Sequence, residues 1–442
     1  MATFAAVRPV SAFRLGCLSL LLLLLCGLPV AAQNGADAKL EFVVVLSRHG
    51  VRPPLGNLRV FDKYSAAPWP AWEVPPGYLT PHGYDLMKLV GAWDRERFSA
   101  EGLFAPGGCG DARHVTILAD SDERTRETGK ALAEGMFPGC GIEVHAKAEG
   151  VRDPLYGLAV DVPRADKELA TAAVAGRVGG DANRVTEAYR PQLEELDRVL
   201  AGCGRADATN AKRISIFDIP AKIDGVSDVS WAYRGPLSTA STMVENFLLE
   251  YTDGKPDVDV GWGCVDGAKL RALMQLDTAE WNLNDHTPAV TRIYAANLLD
   301  HILRSMEQKV NGAAVAGALA KPDDRMLILV GHDTNIVTVA GALGIDWMID
   351  GRVDDTPPGG ALLFEVWREA GGERRVRVEY TAQTLEQMRQ AQPLTAANPP
   401  AIAPVFIPGC SGKDGSCTWE GFSAAVRAAI DSRFVSNQPM LP

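Results

Sequence analysis

Three short stretches of the chain share one pattern: an apolar, β-branched run, then a polar cluster, then apolar positions at helical spacing. The runs are Glu41 to Leu46, His114 to Ala119 and Met326 to Val330. Runs without strict alternation suit strands covered on both faces, as in a parallel sheet. A fourth run, Ala361 to Trp367, follows the turn-rich stretch Asp354-Asp355-Thr356-Pro357-Pro358-Gly359-Gly360. Between the second and third runs, residues 156 to 285 are rich in Ala, Leu and Glu, with helical spacing over Leu193 to Leu200 and Thr239 to Tyr251. The pattern predicts an α/β fold. Residues 38–155 and 286–442 would form a mixed, mostly parallel sheet flanked by helices, and residues 156–285 a smaller inserted α-helical domain. The polar clusters then fall at the carboxyl ends of strands, where open α/β sheets gather ligand chemistry.

Length agrees, because 442 residues exceed the roughly 250 to 300 at which one hydrophobic core stops growing. The first 32 residues are of another kind. Arg8 and Arg14 precede the leucine-rich run Leu18 to Leu25, and Val30-Ala31-Ala32 offers small residues for cleavage, so 1–32 reads as a signal peptide. Its removal takes away two arginines and no acid, moving the formal charge from −11 to −13. An acidic surface argues against nucleic acid. No later segment is apolar enough for a membrane anchor, so a periplasmic or secreted protein is expected. Cleavage leaves six cysteines in a compartment that permits oxidation. Cys410 and Cys417 are close enough to staple a local loop, Cys109 and Cys140 flank a strand and a helix, and Cys203 and Cys264 remain. Spacing alone does not fix that connectivity.

The chemistry is concentrated after the strands. The first is followed by Ser47-Arg48-His49-Gly50-Val51-Arg52-Pro53. Two guanidinium groups beside an imidazole make little sense in a core, but they fit a planar clamp for phosphate oxygens, with Gly50 permitting close backbone approach. The second strand leads into Asp120-Ser121-Asp122-Glu123-Arg124 at a helix start, where Arg124 can add a third guanidinium while Asp120 and Asp122 cap or pair. The third leads into Gly331-His332-Asp333-Thr334-Asn335, offering another phosphate donor and a carboxyl group able to protonate a leaving group.

An apolar strand ending in Asp-x-Asp also suggests a magnesium-dependent aspartyl phosphatase. Glu123 and Arg124 stand where that motif requires Gly and then Thr or Val. A metal triad is disfavoured because three arginines repel a divalent cation. No metal and no cofactor is expected. A phosphate-ester binding protein without catalysis is the remaining alternative. The histidines at 82, 114, 145, 286 and 301 follow no ligand spacing and read as surface or capped residues.

These motifs, together with Asp153-Pro154-Leu155, Glu245-Asn246-Phe247-Leu248-Leu249, Gly261-Trp262-Gly263 and Gln383-Thr384-Leu385-Glu386-Gln387-Met388-Arg389, resemble the histidine acid phosphatases. These form the large branch of the histidine phosphatase superfamily. The likeness is greatest to its bacterial periplasmic phytase and glucose-1-phosphatase group and covers nearly the whole chain after residue 32. The resemblance implies that His49 is the nucleophile, that Arg48, Arg52, Arg124 and His332 hold the phosphoryl group, and that Asp333 gives its proton to the leaving oxygen. It places Glu245 near the substrate. Thr334 leans toward the phytase members, whereas Leu55 and Gly56 stand where those members carry Thr and Lys to bind a highly phosphorylated inositol. The expected partner is a small phosphate ester, and the protein is expected to be a monomer. Three guanidinium groups should depress the pKa of His49, and bound substrate should raise that of Asp333 above ~3.9, giving an acid optimum at roughly pH 4 to 6.

Overall fold

In this computed structural model the described residues are 38–204, 213–225 and 232–436. The expected leader, 1–32, lies outside them. Eight strands make the main sheet: β1 (Lys39–Arg48), β2 (Val115–Ala119), β3 (Val144–His145), β4 (Met326–Gly331), β5 (Ala361–Arg368), β6 (Arg374–Ala382), β7 (Ala401–Pro404) and β8 (Cys417–Thr418). Their order is β7-β6-β5-β1-β4-β2-β3, with β8 beside β6. Strands β1, β4, β2 and β3 pair in parallel; β5, β6, β7 and β8 join by antiparallel pairings. The expected mixed α/β sheet is present, and five of its eight strands run the same way.

Burial on both faces explains the unbroken apolar runs. Phe42, Val44 and Leu46 of β1 join one apolar cluster and Val43 and Val45 the other. The second cluster is closed by α1 (Pro81–Ala100) and α2 (Glu123–Met136). The Thr80-Pro81 pair starts α1 as its chemistry predicts: Thr80 Oγ1 accepts the Gly83 N–H at 2.9 Å, and Pro81 occupies the first turn, where its missing N–H is not needed.

Residues 156 to 285 contribute mainly helices, with one small hairpin of Lys222–Ile223 against Tyr233–Arg234. In the helix Arg190–Leu200, Leu193, Leu196, Val199 and Leu200 lie on one buried stripe. They share a third apolar cluster with α3 (Pro236–Thr252) and α4 (Gly267–Asn284). Asp37–Pro442 forms one compact unit. Disulfides join Cys109 to Cys140, Cys203 to Cys264 and Cys410 to Cys417. One expectation fails at His301, which is not a surface residue. It lies on the buried face of the helix Ala296–Asn311, 3% exposed, with Nδ1 against the Gly317 carbonyl at 2.7 Å.

Strands β1, β4 and β2 are neighbours, so their carboxyl ends coincide. Arg48 sits level with Gly331, and Ala119 with Val330. Backbone pairing continues one residue further, with the His49 N–H donating to Gly331 O and the Asp120 N–H to Val330 O, each at 3.0 Å. Three polar clusters far apart in sequence are thereby brought to one edge.

Candidate active site

His49 is buried, and its Nδ1 lies 2.8 Å from the carbonyl oxygen of Gly50. A carbonyl can only accept, so Nδ1 carries the hydrogen and, in the neutral ring, Nε2 keeps its lone pair. The loop is fixed from both sides. Gly50 N–H donates to Thr128 Oγ1 at 2.9 Å, and Gly359 N–H donates to the His49 carbonyl at 3.0 Å. A Cβ on Gly50 would stand 2.9 Å from Met87 Cγ and 3.1 Å from the Gly83 carbonyl, so the close approach is to α1.

Arg48 and Arg52 are 2% and 4% exposed. Arg48 Nη1 donates to the Thr356 carbonyl at 2.5 Å; its Nη2 binds Glu245 Oε1 and lies 2.8 Å from Asp333 Oδ2. Arg52 Nη2 lies 3.1 Å from the same Glu245 oxygen. The Nε atoms of Arg48, Arg52 and Arg124 are buried without a hydrogen-bond partner among the described residues. Buried guanidinium donors left unmatched cost free energy, and an oxyanion is the guest that would match them.

Arg124, in the first turn of α2, reaches Asp122 Oδ2 at 2.6 Å and His332 Nδ1 at 3.4 Å. The other ring nitrogen of His332, Nε2, lies 2.7 Å from Asp120 Oδ2. The imidazoles of His49 and His332 stand 5.6 Å apart, centroid to centroid. His332 precedes α5 (Asp333–Leu343), its backbone N–H donating to Asn335 Oδ1 at 2.9 Å and its carbonyl accepting the Asn335 N–H at 3.2 Å. Asp333 therefore occupies the first turn, where the Thr334 N–H donates to its Oδ1 at 2.8 Å. The positive ends of α2 and α5 both adjoin the cluster.

The charges act strongly on one another. Burial, and then the guanidinium groups of Arg124, Arg52 and Arg48 with His332, hold His49 well below the ordinary imidazole range. For Asp333 burial pushes upward, but Arg48, Arg52 and His332 outweigh it and hold the carboxyl below its usual range. Asp333 is thus ionised in the ester-free site.

Carboxylate and imidazole atoms of Asp120, Asp122 and His332 lie within 4.8 Å of one another, a spacing a metal ion could use. Their atoms are already engaged, Asp120 with His332 and Asp122 with Arg124, and the Arg124 guanidinium sits among them. That arrangement fits a divalent cation poorly.

All eight residues singled out from the sequence fall in this region: His49, Arg48, Arg52, Arg124, His332, Asp333, Thr334 and Glu245. Glu245 comes from α3, in the helical stretch, and bridges two arginines. The sequence reading missed Thr128, the Thr356 carbonyl and Asp277. Asp277 is a buried acid of α4 that accepts from Ser241 at 2.7 Å, and burial, then Glu245, push its pKa well up.

The chain is similar to the phytase of Escherichia coli, 35% identical over 409 residues, covering 90% of this chain and 94% of that one. It is 29% identical to the glucose-1-phosphatase of Providencia rettgeri, covering 91% and 94%. Among solved structures, the Hafnia alvei phytase in complex with tartrate aligns with a TM-score of 0.83 at 32% identity, covering 91% of this chain and 99% of that one. The family model of the histidine phosphatase superfamily, branch 2, matches residues 39–381. The chain belongs to that branch of the histidine phosphatase superfamily.

Proposed function

We propose that the protein is a histidine acid phosphatase that hydrolyses phosphomonoesters through a phosphorylated His49, with phytase-like or broad sugar and inositol phosphate substrates. The observation that carries this reading is the His49 tautomer. With Nδ1 held by the Gly50 carbonyl and the ring kept neutral by burial and then by its arginine neighbours, Nε2 is a free nucleophile inside an oxyanion site.

In the first step the Nε2 lone pair forms a bond to phosphorus, the ester P–O bond breaks, and Asp333 gives its proton to the departing oxygen. In the second, water attacks phosphorus, the P–N bond breaks, and Asp333 takes a proton from that water. Arg48, Arg52 and Arg124 neutralise the equatorial oxygens, and His332 faces the same cluster with Asp120 behind it. Thr334 orients Asp333 through its backbone N–H. Glu245 sets the charge of the arginine pair and stands next to the substrate.

Residues 156–285 act in this reading as an inserted helical domain that covers the cleft; an apolar cluster that draws most of its residues from this segment, and the reach of Glu245, support it. Three disulfides favour a periplasmic or secreted setting. Among the described residues no helix is long and apolar enough to cross a membrane.

In parallel alkaline and acid quenches during turnover of a labelled ester, phosphate should stay on a peptide containing His49 in base and be lost in acid, as a phosphorylated imidazole requires, and His49→Ala should abolish turnover while leaving the fold intact. Activity should survive excess chelator. Label on Asp120, or activity lost to the chelator, would replace this mechanism with the metal-dependent one.

A further inference from the structure

The mouth of the arginine cluster is apolar on one side. Leu55 is 57% exposed, and a Cβ placed on Gly77 would stand 3.0 Å from Leu55 Cδ2 and 3.6 Å from Arg124 Nη1. Leucine and guanidinium thus flank the same glycine, whose carbonyl Arg124 Nη1 approaches at 3.4 Å. From Pro53, whose carbonyl accepts from Arg52 Nη1 at 3.2 Å, the wall continues into a cavity of about 380 Å³. Pro53, Pro54, Leu58, Trp69, Trp72 and Pro76 line it. The indole N–H groups of Trp69 and Trp72 are buried and have no acceptor among the described residues. Flat apolar walls suit the face of an uncharged ring.

Charge around this mouth points the same way, because its outer cations Arg59, Lys255 and Arg126 each face a carboxylate. Arg59, on the cavity wall, lies 3.2 Å from Asp62. Lys255 sits 4.0 Å from the centre of the Trp72 ring and 4.0 Å from Asp253. Arg126 faces Glu149 at 3.8 Å, and Glu149 also accepts from Tyr78 beside Gly77. Glu123 adds a further carboxylate, accepting from Leu79 N–H at 2.9 Å. A polyphosphate would bring several dianions against these acids, where the outer cations named above already face carboxylates.

We propose that the enzyme selects esters with a single phosphate on an uncharged, ring-bearing alcohol, seated over Leu55 and against the Trp69 and Trp72 wall, and discriminates against polyphosphates. This rests on the phosphatase reading above and narrows its substrate class. The test compares myo-inositol monophosphate with the hexakisphosphate phytate, which share a ring and differ in charge, using p-nitrophenyl phosphate to register catalytic competence. Wild-type kcat/KM for the monophosphate should exceed that for phytate by tenfold or more. Leu55→Lys should narrow that gap at least fivefold, chiefly through a lower KM for phytate. Trp72→Ala should raise the monophosphate KM severalfold. Phytate preferred by the wild type, or a ratio unmoved by Leu55→Lys, overturns the inference and leaves the phosphatase reading standing. No turnover of any of the three esters overturns both.

Discussion

Asp333 Oδ2 lies 2.8 Å from Nη2 of Arg48, the same nitrogen that Glu245 Oε1 binds. Two carboxylates on one guanidinium nitrogen mean that the ester-free site balances its own charge. An incoming phosphate dianion must compete with Glu245 for Arg48 and Arg52, and the carboxylate repels it besides. Glu245→Gln should therefore tighten competitive inhibition by inorganic phosphate about tenfold, or ~1.4 kcal/mol. Unchanged or weaker inhibition would mean that Glu245 organises the arginines rather than competing for them.

The ionised state of Asp333 in the ester-free site also sets the pH dependence. A general acid must arrive protonated, yet its arginine neighbours hold this one below the usual carboxylate range. The proton can instead enter with the ester, whose monoanion loses it with a pKa near ~6. Once bound, the ester's charge offsets Arg48 and raises the affinity of Asp333 for that proton. As pH rises through the ester's own second ionisation, kcat/KM should fall, and the limb should move when esters of different acidity are compared. As pH falls, activity persists until His49 protonates, well below the ordinary imidazole range. A basic limb at one fixed pH for every ester would return control to an enzyme group.

Much of this site was legible because its residues follow strands directly: each polar cluster sits where an apolar run stops, so chain order encodes spatial order. The partners that secure it were not legible. Arg48 is held by a backbone carbonyl 308 residues away, at Thr356, and carbonyls carry no residue-type signal. The loop Thr356-Pro357-Pro358-Gly359-Gly360 read as a turn and as part of the family resemblance, and neither reading gave it a contact with Arg48. Asp277 lay hidden because an acid on a helix usually faces water. Strand Ala361–Arg368 was placed correctly, but its antiparallel pairing was unreadable, since burial on both faces erases the alternation that would have marked it. His301 misled for a related reason: one histidine on a helix does not reveal which face is buried.

Several buried carboxyls that stand outside the catalytic cluster make stability pH-dependent. Glu250 is fully buried; Oε2 accepts from the Gly261 N–H at 3.1 Å, and Oε1 has no partner among the described residues. Burial pushes its pKa up to about 8, against ~4.3 in an unfolded chain. A raised carboxyl pKa favours the folded state in acid. The contribution is complete below ~4.3 and is lost as pH climbs toward 8. Asp94 and Glu280, each pushed up to about 7, act in the same sense. Glu250→Gln should match the wild-type stability near pH 4 and exceed it at pH 8 by about a few kcal/mol, read as equal Tm values in acid and a higher Tm for the variant at pH 8. A Tm difference independent of pH would show that folding does not raise the pKa of Glu250.

The sharpest test of Asp333 uses the leaving group. Its proposed task is to protonate a departing oxygen, so its importance must scale with the basicity of that oxygen. Sugar and inositol alkoxides are strong bases that depart poorly as anions, whereas nitrophenolate is stable without a proton. Asp333→Asn should slow alkyl phosphates by roughly a hundredfold or more and p-nitrophenyl phosphate much less. The substitution also removes one of the two carboxylates on Arg48, which should tighten phosphate binding, so the loss must be read in kcat rather than KM. Alkaline quench should still trap phosphate on His49, and with p-nitrophenyl phosphate the intermediate should accumulate, because the second step loses the group that takes a proton from water. Equal losses on both esters would give Asp333 a positioning role only. The nearest remaining carboxylate to act as acid would then be Glu245, which shares its nitrogen on Arg48.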